Sequence, residues 1–143
     1  MGLRIDVVGL PAPKGSKKAF VVKGRAIVTD VSNKSSRDRL NPWKLAVTAA
    51  VQRALAEIGN PPPLDVPLDV HLLFWLPRPE STPKRVTLPA KKPDCDKLAR
   101  AALDLCSKVV WTDDARIVNL HVCKRFAIGR PPGMTMNVGE FTE

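Results

Sequence analysis

Acidic side chains cluster around one short stretch of this chain. Asp94 and Asp96 are separated by a single residue, and Asp113 and Asp114 follow further along. Alternate residues of an extended segment face the same side, so Asp94 and Asp96 can direct two carboxylates to one place. If the chain reverses after the intervening helix, the turn at Asp113 and Asp114 brings back a third. Carboxylate oxygens are the ligands that hard Mg²⁺ prefers, and its other coordination positions stay open to water and phosphate.

The chain as a whole is strongly basic. It has 23 Lys and Arg residues against 14 Asp and Glu, a net charge of +9. Such a surplus attracts polyanions and makes nucleic acid the first partner to consider, although a basic surface can also serve solubility alone. A cluster of acids repels phosphate unless a metal ion reverses its sign. Metal-assisted cleavage of a phosphodiester accounts for both features.

Each acid also has an ordinary structural interpretation. Asp96 can cap a helix and favour its positive end, and Asp113 and Asp114 can be turn residues. Asp96 and Arg100 have the four-residue spacing of a surface ion pair on a helix. The grouping of several acids is what favours a metal site, because converging carboxylates repel one another without a cation.

Hydrophobic periodicity predicts a single α+β domain over residues 1–143, with about four to six strands and two main helices. Alternating apolar and polar side chains, and a β-rich pair around a glycine, indicate the strands. They are predicted at 3–7, 20–22, 26–28, 69–76, 118–123 and 134–138.

The first helix is predicted to begin at Asn41 and Pro42, because asparagine is a favoured cap and proline is tolerated at the first helical position. Gly59 predicts its end. The second helix is predicted to start near Asp96. The buried face of the first helix is expected to contain the apolar residues that recur at helical spacing, Trp43, Val47, Ala50, Val51, Ala54, Leu55 and Ile58.

The stretch at about 78–93 has no apolar period and is rich in Pro, Ser, Thr, Lys and Arg. It is predicted to be a mobile basic loop, for which a solvated loop without a role is the alternative. Basic residues here and in the loop after the first strand are the predicted contacts to a DNA backbone. They are Lys14, Lys17, Lys18, Lys84, Arg85, Lys91 and Lys92.

The other reactive side chains receive structural interpretations. Three cysteines without a C-x-x-C pair encode neither a disulfide framework nor a zinc site. His71 and His121 have no spacing that pairs them, and each is interpreted as an ordinary sheet residue. Trp111 is expected to pack in the core rather than to stack on a base. Without a long apolar run or an export signal, the protein is expected to be cytoplasmic, with no membrane partner.

Two motifs flank the second predicted helix, Lys92-Pro93-Asp94-Cys95-Asp96 and Val109-Val110-Trp111-Thr112-Asp113-Asp114. Together with that helix and residues 118–122 they resemble the RusA-type Holliday-junction resolvases, chiefly the phage-borne members, over about a third of the chain. The resemblance implies a mixed sheet in a RusA-like fold and a homodimer that binds four-way DNA junctions. It also implies an endodeoxyribonuclease of recombination and repair that nicks two symmetric strands with Mg²⁺ or Mn²⁺.

The resemblance also assigns roles to the acids. The essential acids of the family fall on Asp94, Asp96 and Asp114, which are therefore the predicted catalytic and metal-binding residues. Asp113 is a further candidate metal ligand. With Asp104, it is also interpreted as an outer acid that positions the others.

Three basic positions depart from the family pattern. Arg100 replaces a functional lysine, and arginine can bind phosphate but does not give up its proton. Lys97 stands where the family commonly has asparagine and is a second candidate for that lysine's role. Arg100 or Lys97 is therefore expected to stabilise negative charge during catalysis. Lys108 stands where the family commonly has glycine.

Two other functions stay open at this point. A non-catalytic module could bind DNA through its charge alone and carry a degenerate acidic site. A nuclease of flaps or forks could use the same residues with less selectivity. Cleavage of a four-way junction in the presence of Mg²⁺, compared with binding and with other branched substrates, distinguishes the three.

Overall fold

A computed structural model describes residues 2–15, 17–22, 25–30 and 34–143, with side chains for 2–15 and 39–143. In these ranges it has six strands and two α-helices, which confirms the predicted α+β fold. Neither of these helices is long and apolar enough to span a bilayer. In chain order the elements are β1 (Gly2–Val8), β2 (Lys17–Val22), β3 (Arg25–Asp30), α1 (Lys34–Glu57), β4 (Leu68–Leu76), α2 (Cys95–Cys106), β5 (Ile117–Phe126) and β6 (Gly133–Glu140).

Four strands form one mixed sheet in the order β1-β6-β4-β5, and β2 pairs with β3 in a separate two-stranded sheet. β4 and β5 run parallel and are connected through α2, since parallel neighbours need a long crossover. β6 runs antiparallel to both of its neighbours. The antiparallel pairing of β2 and β3 agrees with the predicted hairpin. Lys23 and Gly24, which come between the two strands in the sequence, lie outside the described residues.

One face of the four-stranded sheet packs against the helices. Every second residue of β4, from Leu68 to Leu76, is buried on this face. The strand register aligns Ile5 of β1, Met136 of β6 and Leu72 of β4 in one apolar row. α1 packs on β1, α2 packs on β5, and the two helices contact each other. The predicted alternation of β4 follows from this arrangement, because only one face of a strand is fully covered.

The prediction that α1 begins at Asn41 is wrong. The helix begins at Lys34 and contains Pro42 in its interior, although an interior proline costs about 3 kcal/mol. Leu40 is 7% exposed and lies one turn before Trp43, so it continues the buried face of the helix toward the N-terminus. Burial of a leucine contributes about 1.5–3 kcal/mol, which offsets most of the cost of the proline.

The predicted end of α1 at Gly59 is confirmed. The helix ends at Glu57, and Gly59 has a left-handed φ of 85°. The amide of Asn60 donates to the carbonyl of Leu55 at 2.8 Å, a bond typical of helices that end at a glycine. Ile58 lies beyond the helix and is 42% exposed, so its predicted place on the buried face is wrong.

The sheet face opposite the helices brings two histidines together. The register of β4 and β5 sets His71 beside His121, and their rings stack with centroids 5.3 Å apart. Nε2 of His71 also lies 3.0 Å from a carboxylate oxygen of Asp69. Sequence spacing does not reveal the histidine pair, because the pairing depends on which strands are neighbours.

Gly133, the first residue of β6, lies directly against the backbone of β1. A Cβ atom at this position would overlap the backbone oxygen of Val7 and lie 3.1 Å from its carbonyl carbon. Backbone atoms of a paired strand cannot move aside as the end of a flexible side chain can. This position therefore requires glycine.

Candidate active site

Asp94 and Asp96 lie at the N-terminal end of α2. Asp94 precedes the helix, with extended backbone angles of φ −76° and ψ 145°, and Asp96 lies in the first turn. Asp94 rather than Asp96 therefore holds the cap position, and its carbonyl accepts a bond from the amide of Leu98 at 3.0 Å. Its side chain makes no capping bond and lies 3.5 Å from Nζ of Lys97. Both carboxylates are close to the positive end of the helix dipole, which favours their charge.

Asp113 and Asp114 begin a short 3₁₀ turn, Asp114–Arg116. The side chain of Asp113 caps this turn and accepts the amide of Ala115 at 2.9 Å. Oδ1 of Asp114 accepts a hydrogen bond from Nε1 of Trp111 at 2.7 Å. Trp111 is fully buried, as the predicted core role requires, so its indole N–H orients Asp114 from a rigid position.

The segment before β4 braces this acidic turn. Backbone bonds connect Leu64 to Val110 at 2.9 Å and to Thr112 at 3.0 Å. The carboxylate of Asp65 accepts a hydrogen bond from Oγ1 of Thr112 at 2.9 Å. It also forms an ion pair with Arg116 at 2.8 Å. The same segment therefore holds the backbone before Asp114 and the side chain of Arg116 after it.

One groove between α2 and β5 brings several of the predicted residues together. Its volume is about 490 Å³. Asp96 and Arg100 line it from α2, and Asp114 lines it from the 3₁₀ turn. Its lining residues are Cys95, Asp96, Ala99, Arg100, Leu103, Asp104, Asp114, Leu120 and Val122.

Asp94 and Lys97 line a different cavity. This larger space, about 1020 Å³, lies between the loop after β1 and the segment that connects β4 to α2. Asp113 lines neither space. Among the described side chains, no three Asp, Glu, His or Cys groups are close enough together to hold a metal ion. The predicted four-aspartate ligand set therefore stays a prediction, with Asp96 and Asp114 as the pair that shares a groove.

Asp96 and Asp114 suit a hard divalent cation in their chemistry. Mg²⁺ is commonly held by one or two protein carboxylates, while water and substrate phosphate complete its coordination. Asp96 is exposed to solvent, and Asp114 uses Oδ1 for Trp111, which leaves Oδ2 for another partner. Asp104 lies in the same groove but pairs with Lys14. The two carboxylates thus have the donor chemistry that a magnesium ion prefers.

The predicted DNA contacts differ in their surroundings. Nζ of Lys14 lies 2.6 Å from Oδ2 of Asp104, and its amide donates to the carbonyl of Lys97 at 3.1 Å, so this residue joins the loop after β1 to α2. Lys17 and Lys18 lie on β2, and their side chains are outside the described residues. The remaining four predicted contacts are exposed between β4 and α2; they are Lys84, Arg85, Lys91 and Lys92.

Sequence reasoning missed the contribution of β5 to this region. Leu120 and Val122 line the groove, and Lys124 is the next residue in the same row of the strand. Nζ of Lys124 donates to the carbonyls of Lys91 and Pro93 at 2.8 and 3.0 Å. The sequence shows the alternation of apolar and polar residues in β5. It does not show which helix packs against the inner face of this strand.

Asp114 also lies close enough to the end of α2 to affect Cys106. Burial, together with the negative charge of Asp114, raises the pKa of the Cys106 thiol to about 12. All three cysteines are free, as predicted. Because burial and a neighbouring carboxylate both disfavour its thiolate, Cys106 serves as a small apolar core residue.

Lys108 occupies a backbone conformation that favours glycine. Its φ is 67°, and its amide donates to the carbonyl of Trp111 at 2.7 Å in the turn after α2. A residue with a Cβ atom in this conformation costs about 1–2 kcal/mol. The glycine that the resemblance implies at this position would adopt the same conformation without this cost.

Lys108→Gly is expected to stabilise the protein by about 0.5–1 kcal/mol, because relief of the left-handed strain exceeds the extra entropy that glycine loses on folding. Thermal denaturation should show a rise in Tm of a few degrees. Lys108→Ala is the matched control, since it removes the same charge but keeps the Cβ atom. An equal gain in both variants would show that charge, rather than backbone strain, is responsible.

Residues 12–138 match the protein family described as "Endodeoxyribonuclease RusA". This range contains every residue that lines the groove and extends well beyond the two acidic motifs. A protein of Bacillus subtilis (strain 168), "Uncharacterized protein YqaN", is 22% identical to the chain over 129 residues. That similarity covers 87% of this chain and 88% of the Bacillus protein.

Proposed function

This chain belongs to the RusA family of endodeoxyribonucleases, and we propose that it resolves four-way DNA junctions by paired, symmetric nicks that require Mg²⁺. The observation that carries the proposal is the groove beside α2. Two carboxylates, Asp96 and Asp114, share its lining with the guanidinium of Arg100. In a chain with a net charge of +9, this is an acidic site within a surface that attracts DNA.

Three of the groove residues, Asp96, Asp114 and Arg100, have distinct tasks in this proposal. Asp96 and Asp114 would hold Mg²⁺ or Mn²⁺, which would supply the positive charge that polarises the scissile phosphate and activates an attacking water. The buried N–H of Trp111 donates to Oδ1 of Asp114, and this bond fixes the orientation of the carboxylate, including that of Oδ2. Arg100 binds a non-bridging phosphate oxygen and stays protonated throughout, so it stabilises charge but does not act as a general acid.

Asp94, Asp113 and Lys97 have supporting tasks. Asp94 is adjacent to the groove residue Cys95, and we assign it as a further ligand that completes the site when DNA binds. The Asp113 carboxylate caps the turn that carries Asp114, which suits an outer acid better than a direct ligand. Lys97 lines the neighbouring cavity together with Lys91 and Lys92, so a phosphate contact suits it better than a role at the reacting atoms.

The segment between β4 and α2 supplies the main contact with the DNA backbone. Lys84, Arg85, Lys91 and Lys92 are exposed on it, and it ends at Asp94. Contacts to phosphates fix register without reading sequence, so these residues position the DNA beside the acids. With four such phosphate contacts, the affinity for DNA is expected to fall by about 100-fold between 50 and 200 mM salt.

A homodimer is the architecture that matches the substrate. A four-way junction has near two-fold symmetry, and two equivalent sites can nick symmetric strands. β5 forms an edge of the sheet, and its apolar residues Val118 and Leu120 are 58% and 45% exposed. This exposed edge supports the proposal that a second copy packs near the groove.

Incubation with a synthetic four-way junction tests the proposal. Wild-type protein with Mg²⁺ should give two symmetric nicks, EDTA should abolish them, and a linear duplex of the same sequence should be cut far more slowly. Junction binding without cleavage would contradict the nuclease and leave a non-catalytic DNA-binding module. Equal cleavage of junctions, flaps and forks would indicate a less selective branched-DNA nuclease.

A further inference from the structure

Lys124 lies on the inner face of β5, next to the groove. The strand register pairs it with Phe74 of β4, whose side chain is fully buried beneath the helices. Leu120 and Val122, which precede it in the same row, both line the groove. The ammonium of Lys124 is therefore directed toward the start of α2 rather than toward the opposite sheet face.

The partners of Lys124 lie in the turn that leads into α2. Nζ donates to the carbonyl of Lys91 at 2.8 Å and to that of Pro93 at 3.0 Å. Pro93 directly precedes Asp94, whose own carbonyl accepts the first helical bond of α2. A charged donor with two carbonyl acceptors thus holds the last residues before the helix that carries Asp96 and Arg100.

The connecting segment is attached to β5 separately at its start, where the guanidinium of Arg78 lies 5.8 Å from the ring centroid of Phe126 and donates to the carbonyl of Pro83 at 2.8 Å. Residues 77–94 contain neither helix nor strand. Within the described chain, the backbone hydrogen bonds of this segment, apart from the first helical bond of α2, are local ones such as Thr82 to Pro79, Val86 to Pro83 and Ala90 to Leu88. Lys124 is therefore the link that fixes the end of the segment relative to β5.

We propose that Lys124 is a positioning residue for DNA cleavage, because its ammonium holds the turn 91–93 and thereby sets the acid-bearing start of α2. This inference rests on the proposed nuclease function. Without this link, the start of α2 can shift relative to Asp114, which is held independently by Trp111. Catalysis is sensitive to such a shift, because displacement of a catalytic group by about 1 Å can lower a rate by roughly 100-fold.

Arg125 provides a matched control. It is the next residue along β5, is exposed, and by strand alternation lies on the opposite face of the sheet. The guanidinium of Arg125 donates to the carbonyl of Lys124 at 2.7 Å, so Arg125→Met removes the same unit of charge as Lys124→Met but keeps the bonds of Lys124 Nζ to the turn 91–93. A general effect of charge on DNA binding would therefore appear equally in both variants.

The first measurement needs neither DNA nor metal. Trypsin cuts after Lys91 but not between Lys92 and Pro93, and the Lys91 carbonyl is one of the two that Lys124 holds. In the folded protein, Lys124→Met should accelerate cleavage after Lys91 by roughly tenfold or more, since a hydrogen bond to a charged group is lost. Cleavage after Arg85, in the same segment, should stay unchanged.

The second measurement is junction cleavage at saturating Mg²⁺. Lys124→Met should lower kcat by roughly 10- to 100-fold, while KM for the junction stays close to that of wild type. Lys124→Arg should restore part of the rate, because a guanidinium can also reach two carbonyls. Arg125→Met should match wild type in kcat. If Lys124→Met does not fold, Lys124→Gln is measured in its place.

The outcomes separate this inference from the function on which it rests. Faster trypsin cleavage together with a lower kcat supports the positioning role. A normal kcat in Lys124→Met overturns the positioning role alone, whatever happens to the trypsin rate. A parallel loss in Arg125→Met also overturns it, since the effect would then be one of charge. Absence of cleavage by the wild-type protein overturns both proposals.

Discussion

Asp96→Asn is expected to reduce the rate of junction cleavage by at least about 100-fold. Loss of a metal-binding carboxylate removes several kcal/mol of transition-state stabilisation, and each 1.4 kcal/mol changes the rate about tenfold. Asparagine has nearly the same shape and Asp96 is exposed, so folding should be unaffected. Junction affinity without metal should be equal or higher, because a negative charge that repels phosphate is removed. Single-turnover cleavage and a binding titration in EDTA measure the two effects separately.

The control for this prediction is Glu57→Gln at the end of α1, an exposed acid outside the groove, which changes net charge by the same amount. Cleavage by this variant should equal that of wild type. A cleavage rate for Asp96→Asn within a few-fold of wild type would exclude Asp96 as a metal ligand. Weaker binding in EDTA would instead point to a structural role at the start of α2.

Gly133→Ala is expected to destabilise the protein by about 3 kcal/mol or more, at the upper end of what overpacking usually costs. The added methyl group meets the backbone of Val7, and β1 must separate from β6 to accommodate it. Tm should fall by roughly 10 °C for a domain of this size. Thermal and urea denaturation give the change in the free energy of unfolding.

Gly2→Ala provides the comparison on the other strand of the same pair. A Cβ atom there would approach only the carbonyl oxygen of Val138 at 3.9 Å, an ordinary contact, so little change in stability is expected. If both substitutions have similarly small effects, β1 can shift without cost and the close approach at Gly133 is not a constraint.

The elements with strong periodicity were predictable from the sequence. β4 alternates because one face is fully covered, and α2 follows directly from the spacing of its apolar residues. The start of α1 was not predictable from Asn41 and Pro42, because cap signals are local. The burial of Leu40 depends instead on the position of the sheet beneath it.

The candidate site was predictable only in part. Asp96 and Asp114 line one groove, and their predicted convergence on a shared metal ion stays a prediction. The bond from Trp111 to Asp114 and the contacts of Lys124 could not be derived, because both depend on tertiary packing. The histidine pair likewise required knowledge of the strand order.

The place of β6 in the sheet has a consequence for how the chain can be synthesised. β6 lies between β1 and β4, so Leu3 pairs with Val138, and among the described strands β1 has β6 as its partner in the sheet. Contacts so distant in sequence form slowly, because a long loop must close first. Nascent chains on the ribosome must therefore keep β1 unpaired until β6 has been synthesised, and a stop codon before residue 133 would leave the inner apolar side chains of β1 available for aggregation.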